Sequence, residues 1–272
     1  MPDSVPRRVG VGPRPEFTLS YYGHCAFLLK SPQGARVLTD PYRNARGFYW
    51  FTRRFPAVDC DLALVTHAHF DHDAIERLAE TTSVMRTPGD FKFRDVSISG
   101  VQDWHSGQWT SEQLLAEAGR LTPQQMMDRH FGLANVPNVM FRLEIAGISL
   151  LHMGDNRANW PDDVSEAIGQ VDVLMIPVDD SCHLLNHDQV ARLIAQVSPK
   201  IIAPMHYRIP GLNPDSITLD EPMKWLGAQP VVKRLEGHSV IISKEVLPES
   251  AQVWFFQPAS ESMTAQTIGP IG

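Results

Sequence analysis

Cysteine is scarce in this sequence. Cys25, Cys60 and Cys182 are the only three in 272 residues, and no two form a Cys-x-x-Cys pair. That scarcity argues against a disulfide framework and against a cysteine-type structural zinc site. Long apolar runs are missing as well. The longest, Val171–Val178, is broken by Asp172 and Pro177 and falls far short of a bilayer span. Residues 1–15 carry Pro, Gly and Arg but no apolar stretch resembling a secretory signal. A basic excess is absent too: 24 Lys and Arg against 31 Asp and Glu leave a net charge of −7. Nucleic acid and anionic membranes usually require a basic face, so neither is the expected partner. No Gly-rich phosphate loop or dinucleotide fingerprint occurs. These absences describe a soluble protein of a reducing compartment, most simply the cytoplasm, acting on a small molecule.

Apolar residues make up 43% of the chain and charged residues 20%, enough for a substantial core. Strand patterns alternate with helical ones. Short strands are expected at Phe17–Tyr22, Cys25–Lys30, Arg36–Thr39 and Asp61–Thr66, followed by a helix over 71–80 with acidic residues in its first turn. Further strands are expected at 93–102, 139–146, 148–153, 171–177, 200–204, 231–235, 239–243 and 252–256. Helices are expected at 110–118, 123–131, 161–169, 187–197 and 219–226. For 187–197, Asn186 or His187 supplies the start signal and Pro199 the stop. The pattern is that of two stacked sheets with helices outside. One domain over 16–257 is expected, with a mostly helical insertion at 107–136 and turn-rich tails at 1–15 and 258–272.

Eleven histidines are the feature to pursue. The densest group is His67-Ala68-His69-Phe70-Asp71-His72, directly after the apolar run 61–66. His67 and His69 alternate on an extended segment and so share a face. Asp71 and His72 stand where the chain turns, able to point back at the same place. Three imidazoles and a carboxylate this close make a poor hydrophobic core, since each polar group needs a partner. A divalent metal satisfies them together.

His-x-His-x-Asp-His after a buried strand resembles the signature of the metallo-β-lactamase superfamily of metal-dependent hydrolases. The later motifs of that family match in order: His105 in Asp103-Trp104-His105-Ser106, Asp155 after Gly154, and His206 in Pro204-Met205-His206-Tyr207. Tyr22-Gly23-His24-Cys25-Ala26 and Leu38-Thr39-Asp40-Pro41-Tyr42 resemble the branch that includes L-ascorbate 6-phosphate lactonase and N-acylphosphatidylethanolamine phospholipase D. The resemblance implies a four-layer αββα sandwich of two mixed β-sheets. It implies that His67, His69 and His105 hold one divalent ion, that Asp71, His72 and His206 hold a second, and that Asp155 bridges both. Zinc or manganese suits this nitrogen and oxygen set, and iron fits it too. Common β-lactamases carry cysteine at the position of Asp155, and the flavin-linked di-iron reductases carry glutamate at that of His69. Both differ from this chain.

A hydrolase of small lactones or esters, possibly with an anionic group on the substrate, is the first reading; a small-molecule phosphodiesterase is the second. A non-catalytic metal-binding scaffold is the third, from a different class. Asp71 and His183 are the candidate catalytic residues, His183 as the acid for the leaving group. His24, Arg46, Trp50, Trp104 and His183 are the candidate substrate contacts. The run Phe48-Tyr49-Trp50-Phe51, flanked by Arg43, Arg46, Arg53 and Arg54, has two readings. It packs on the sheet or forms the interface of a homo-oligomer, or it walls the pocket and its arginines receive a phosphate or carboxylate. His152, on the strand leading to Asp155, is expected to pack or to support a ligand.

Overall fold

The computed structural model describes residues 15–106, 136–180 and 184–260. The expected insertion at 107–136, with its two expected helices, falls outside these apart from Val136, and so does His183. Among the described residues fourteen strands form two sheets. The first has six strands in the order β13-β1-β2-β3-β4-β5: Ser239–Ile242, Phe17–Gly23, Ala26–Lys30, Arg36–Thr39, Leu62–Leu64 and Ser83–Met85. The second has eight in the order β12-β14-β11-β10-β9-β8-β7-β6. These are Val232–Arg234, Gln252–Phe255, Ile201–Met205, Val173–Pro177, Ile148–His152, Pro137–Ile145, Val96–Trp104 and Gly89–Phe93. This is the metallo-β-lactamase fold, two mixed sheets with few helices.

The strand sequences explain the layering. β4, β9, β10 and β11 are buried along their whole lengths, as apolar runs of parallel strands must be. One buried cluster takes Phe27 and Leu29 from β2, Leu38 from β3, Phe141 and Leu143 from β8, and Leu174 and Ile176 from β10. The two sheets therefore share a core. Helix α1 (Asp162–Ile168) lies on β7, and α2 (His187–Val197) on β10. A third short helix, α3, spans Met223–Gly227. Among the described residues no helix is long and apolar enough to cross a membrane.

Three departures from the sequence reading have physical causes. The helix expected over 71–80 is absent, and only a single 3-10 turn forms at Ile75–Arg77. Asp71, His72 and Asp73 are held by His24, Asp40 and Arg86, and the Ala74 N–H donates to the Pro41 carbonyl at 2.8 Å. Tertiary bonds override the local helix signal there. The run expected as one strand from 93 begins instead as a hairpin of β6 and β7, which turns at Arg94 with φ +52°. β5 and β6 went unread because most of their residues are exposed and offer no apolar face. Residues 258–260 belong to the packed body, since Ala259 is buried and its N–H donates to the Tyr21 carbonyl at 2.9 Å.

Helix α2 begins as expected. Asn186 accepts from the Gln189 N–H at 2.9 Å, and the Gln189 side chain accepts from the Asn186 N–H at 2.8 Å. This capping box satisfies two donors that the first turn leaves over. Replacing Asn186 by Ala should cost about 1 kcal/mol of unfolding free energy in urea. Asn186→Ser should restore most of it, and metal content should stay unchanged in both variants.

Candidate metal centre

Parallel strands of both sheets end at one edge, and their ends carry the polar residues. β3 and β4 run parallel, as do β9, β10 and β11. Beyond β3 comes Asp40, and beyond β4 comes Thr66-His67. Asp155, Asp179 and His206 follow β9, β10 and β11. His105 follows β7 and pairs with Asn156 in an isolated antiparallel bridge. His24 sits at the tip of the β1–β2 hairpin, whose Gly23 pairs with Ala26.

The backbone at this edge leaves the usual regions. His24, Asp40 and His206 adopt positive φ of 52°, 38° and 53°, a conformation side chains rarely take. Such strain persists only where surrounding bonds enforce it. Gly154, at φ +54°, turns the chain from β9 to Asp155. A Cβ on Gly154 would lie 2.6 Å from both Asn138 Oδ1 and Thr66 Oγ1. That approach explains the glycine: Asn138 reaches past it to donate to the Met153 carbonyl and to accept from the Asp155 N–H.

The structure brings together His67, His69, Asp71, His72, His105, Asp155 and His206, all buried except the half-buried His69. Asp155 Oδ2 is at the middle. Nε2 of His72 is 3.2 Å from it, those of His105 and His206 3.3 Å, and that of His67 3.8 Å. Asp71 Oδ2 lies 3.4 Å from His72 Nε2 and 3.6 Å from His206 Nε2. Potential ligand atoms of His67, His69 and His105 lie within 4.8 Å of one another, as do those of His24, Asp71, His72 and His206. His24 is the candidate substrate contact that joins the cluster, with its Nε2 3.0 Å from Asp71 Oδ2. Cys25, His72 and Asp155 form a third such group.

The residues fit a metal on two counts. Both Asp155 oxygens, His72 Nε2 and His105 Nε2 are buried without a hydrogen-bond partner of ordinary geometry. Buried orphans of that kind are rare, and their number here calls for a cation. Second, bonds of about 2.0–2.1 Å to a tetrahedral zinc place neighbouring donors about 3.3–3.4 Å apart. The separations around Asp155 Oδ2 are close to that.

Several imidazoles are oriented by their other nitrogen. Asp40 Oδ2 lies 2.8 Å from His72 Nδ1, Thr66 Oγ1 lies 3.0 Å from His67 Nδ1, and Asp179 Oδ2 lies 3.4 Å from His206 Nδ1. His105 Nδ1 donates to the Ser106 carbonyl. Asp40 also accepts from the Thr66 N–H at 2.9 Å and from its hydroxyl at 2.7 Å, joining the ends of β3 and β4. Such partners fix ring orientation and raise ligand basicity. Asp40 and Asp179 were not singled out from sequence. Asp40 acts on a residue 32 positions away, and only its place in the Thr39-Asp40-Pro41 motif hinted at it. His152 takes the supporting place expected of it: Nε2 donates to the Cys25 carbonyl at 2.9 Å, while Nδ1 accepts from the Gly154 N–H.

The other expected contacts divide. Trp50 is buried and meets the rings of His24 and His206 edge-on at 6.3 and 6.2 Å. Phe51 lies 5.3 Å from His24 and stacks on Tyr42 at 4.2 Å. The aromatic loop therefore packs on the His24 side of the centre. Arg46 stands exposed on the turn between Ala45 and Phe48, and Trp104 is 37% exposed. Neither is brought to the cluster by the described contacts.

Burial opposes charge throughout the centre, yet its ionisable groups separate. Burial, with His72 and His69 alongside, holds His67 well below the usual imidazole range. Burial and the neighbouring His206 lower His24 to about 4, and burial and His105 lower His69 to about 4. For His72, burial is outweighed by Asp155, Asp71 and Asp40, which raise it well above its ordinary value. His206 is raised against burial by Asp155, Asp179 and Asp71. Asp155 and Asp71 stay ionised in spite of burial, because His206 and His72 face the first, and His72, His206 and His24 the second.

The chain belongs to the beta-lactamase superfamily: the family model described as a beta-lactamase superfamily domain matches residues 18–206. A UPF0173 metal-dependent hydrolase of Thermodesulfovibrio yellowstonii is 26% identical over 218 residues, covering 72% of this chain and 80% of its own. One of Methanopyrus kandleri is 23% identical over 242 residues, covering 80% and 96%. A Thermotoga maritima structure assigned to the Zn-dependent hydrolases of this superfamily superposes with a TM-score of 0.61 at 22% identity. It covers 88% of this chain and 98% of its own. A metallo hydrolase of Ignicoccus hospitalis gives 0.51 at 18% identity, covering 90% and 96%. The class is that of the superfamily's metal-dependent hydrolases.

The raised imidazoles have a measurable consequence. His72 and His206 are raised above the usual imidazole range, so a metal competes with protons for them. Metal loading at pH 7 should therefore release protons, read as a heat that varies with the ionisation enthalpy of the buffer. Apparent metal affinity should rise as pH increases above neutrality. Buffer-independent heats would show that the imidazoles are already neutral.

Proposed function

We propose that the chain hydrolyses a small lactone or carboxylic ester with two divalent ions, zinc or manganese, held by the seven clustered residues. The observation that carries this reading is the position of Asp155 Oδ2 within reach of four imidazole nitrogens, which suits a bridging carboxylate. His67, His69 and His105 would hold one ion, and Asp71, His72 and His206 the other, with Asp155 between the two groups. The hairpin motif Tyr22-Gly23-His24-Cys25-Ala26 supports the branch with L-ascorbate 6-phosphate lactonase and N-acylphosphatidylethanolamine phospholipase D. That likeness implies a broad branch and not either enzyme's substrate; a small lactone or ester is our first choice within it, and a small phosphodiester the alternative.

Bound divalent ions supply a water of lowered pKa and polarise the substrate carbonyl. The residues of the chain do the rest. Asp71, ionised and hydrogen-bonded to His24, is the group placed to receive a proton as the nucleophile attacks. His24 holds that carboxylate in position, while Tyr42, Trp50 and Phe51 cover His24 and exclude water from its side of the centre. His183, four positions after Asp179 in the sequence, is the proposed acid for the leaving alkoxide, and it lies outside the described residues.

The test has two parts. Metal-loaded protein should turn over members of a lactone and carboxylic-ester panel faster than phosphodiesters, phosphomonoesters or β-lactams. Preference for phosphodiesters would move the assignment to in-line attack at phosphorus, and turnover of nothing by loaded protein would favour a scaffold. Asp155→Asn should keep the fold by circular dichroism, bind at least one metal more weakly, and lose about 10²-fold or more in kcat. Full activity with two bound metals in that variant would show that another acid fills the bridge.

A further inference from the structure

The backbone that carries Asp155 is paired with the backbone that carries His105. Ser106 N–H donates to the Asp155 carbonyl at 2.6 Å and Arg157 N–H to the Trp104 carbonyl at 3.0 Å, on either side of the bridge between His105 and Asn156. A line of side chains closes the same junction. Arg157 Nε donates to both Asp103 oxygens, at 3.1 and 3.0 Å, and Nη2 donates to one of them at 2.6 Å. Asn156 Nδ2 donates to Asp103 Oδ2 at 2.8 Å, and Asn138 Nδ2 to Asn156 Oδ1 at 3.0 Å. Asn138 Oδ1 then accepts from the Asp155 N–H at 3.3 Å. Asp103, Asn138 and Asn156 are buried, whereas the Arg157 side chain is 29% exposed.

This line has a direction. A guanidinium only donates and a carboxylate only accepts, while an amide does either according to which way it is turned. Asp103 therefore obliges Asn156 to present Nδ2, which leaves Oδ1 for Asn138. Asn138 in turn presents Nδ2 to Asn156 and keeps Oδ1 for the Asp155 N–H. Turning either amide over sets donor against donor or acceptor against acceptor in the interior, where an unmet polar group is costly. Asp103 fixes the order, and Arg157 is its cationic partner. Tying strand ends together accounts for a polar cluster, but not for one whose amide order ends on the backbone of Asp155. The carboxylate of that residue stands 3.3 Å from His105 Nε2.

We propose that Arg157 is a positioning residue of the metal centre: by holding Asp103 it sets the turn of both amides, and with them the place of Asp155 relative to His105. The inference rests on the reading of Asp155 and His105 as metal ligands, and extends it to a residue at the surface. Loss of the guanidinium leaves a buried carboxylate without its counter-charge. The amides then lose their anchor, and the two ligands are no longer held at one separation.

Zinc titration against a competing chelator and the visible spectrum of the cobalt-loaded protein read the effect. Arg157→Ala should weaken zinc binding about tenfold, as removal of a ligand's supporting partner does, and should shift the cobalt bands. Arg157→Lys keeps the charge without the fork and should recover part of the affinity. It also carries the test if the alanine variant does not fold. Asn186→Ala is the control for lowered stability, with zinc affinity and cobalt bands as in the wild type. In the metal-free chain, amide hydrogen exchange at residues 154–156 should quicken in Arg157→Ala, a readout that needs no metal. Wild-type zinc affinity and cobalt bands in a folded Arg157 variant overturn the proposal and leave the reading of the centre standing. A wild-type chain that takes up neither metal overturns both.

Discussion

A fully buried carboxylate surrounded by imidazoles is the constraint on which the rest of this structure depends. Asp155 lies in the interior with neither oxygen in a hydrogen bond of ordinary geometry. An isolated charge in such a place costs several kcal/mol. Only nearby positive charge offsets that, whether protonated His72 and His206 or a cation in their place. The surrounding architecture keeps the carboxylate there. Gly154 provides the turn, Asn138 holds the Asp155 N–H, and the Ser106 N–H donates to the Asp155 carbonyl at 2.6 Å.

The same edge also joins the two sheets. At this edge, hydrogen bonds cross from Val139 N–H to the Thr66 carbonyl, from His206 N–H to the His24 carbonyl, and from His152 Nε2 to the Cys25 carbonyl. Each involves a residue in the centre or next to one in it. At the opposite end Asp95 accepts from the Ser31 hydroxyl and the Gln33 N–H, and Arg94 donates to the Gly34 carbonyl; between the two ends the sheets meet through apolar side chains, which tolerate small slips. At the metal edge directional bonds set the spacing, so the distances among ligands from different sheets are specified by backbone and not by side-chain packing alone. A site built across two elements needs some such device to hold its geometry.

The parts legible in the sequence were those with local signatures. His67, His69, Asp71 and His72 stood out because a strand and a turn place close neighbours on one side. α2 was readable from Asn186 and Pro199, and β3 from its apolar run between turns. What escaped depends on contacts distant along the chain. The backbone at 71–80 resembles a helix until His24, Asp40 and Arg86 claim its side chains. The orienting roles of Asp40 and Asp179 appear only when the strand ends are assembled. β5 and β6 lack an apolar face, so no periodicity announced them.

Asn44 gives the aromatic loop an unusual economy. Its side chain donates to the Phe51 carbonyl at 2.8 Å and accepts from the Phe51 N–H at 2.9 Å, copying the exchange between paired strand residues. One amide thereby closes the loop at its base, before the chain reaches the tip. Arg46, Gly47 and Tyr49 are exposed beyond that closure. The exchange holds Phe51 against His24 without drawing on any side chain of those three. The loop is thereby divided into a root fixed by one amide and an exposed tip whose residues take no part in that hold.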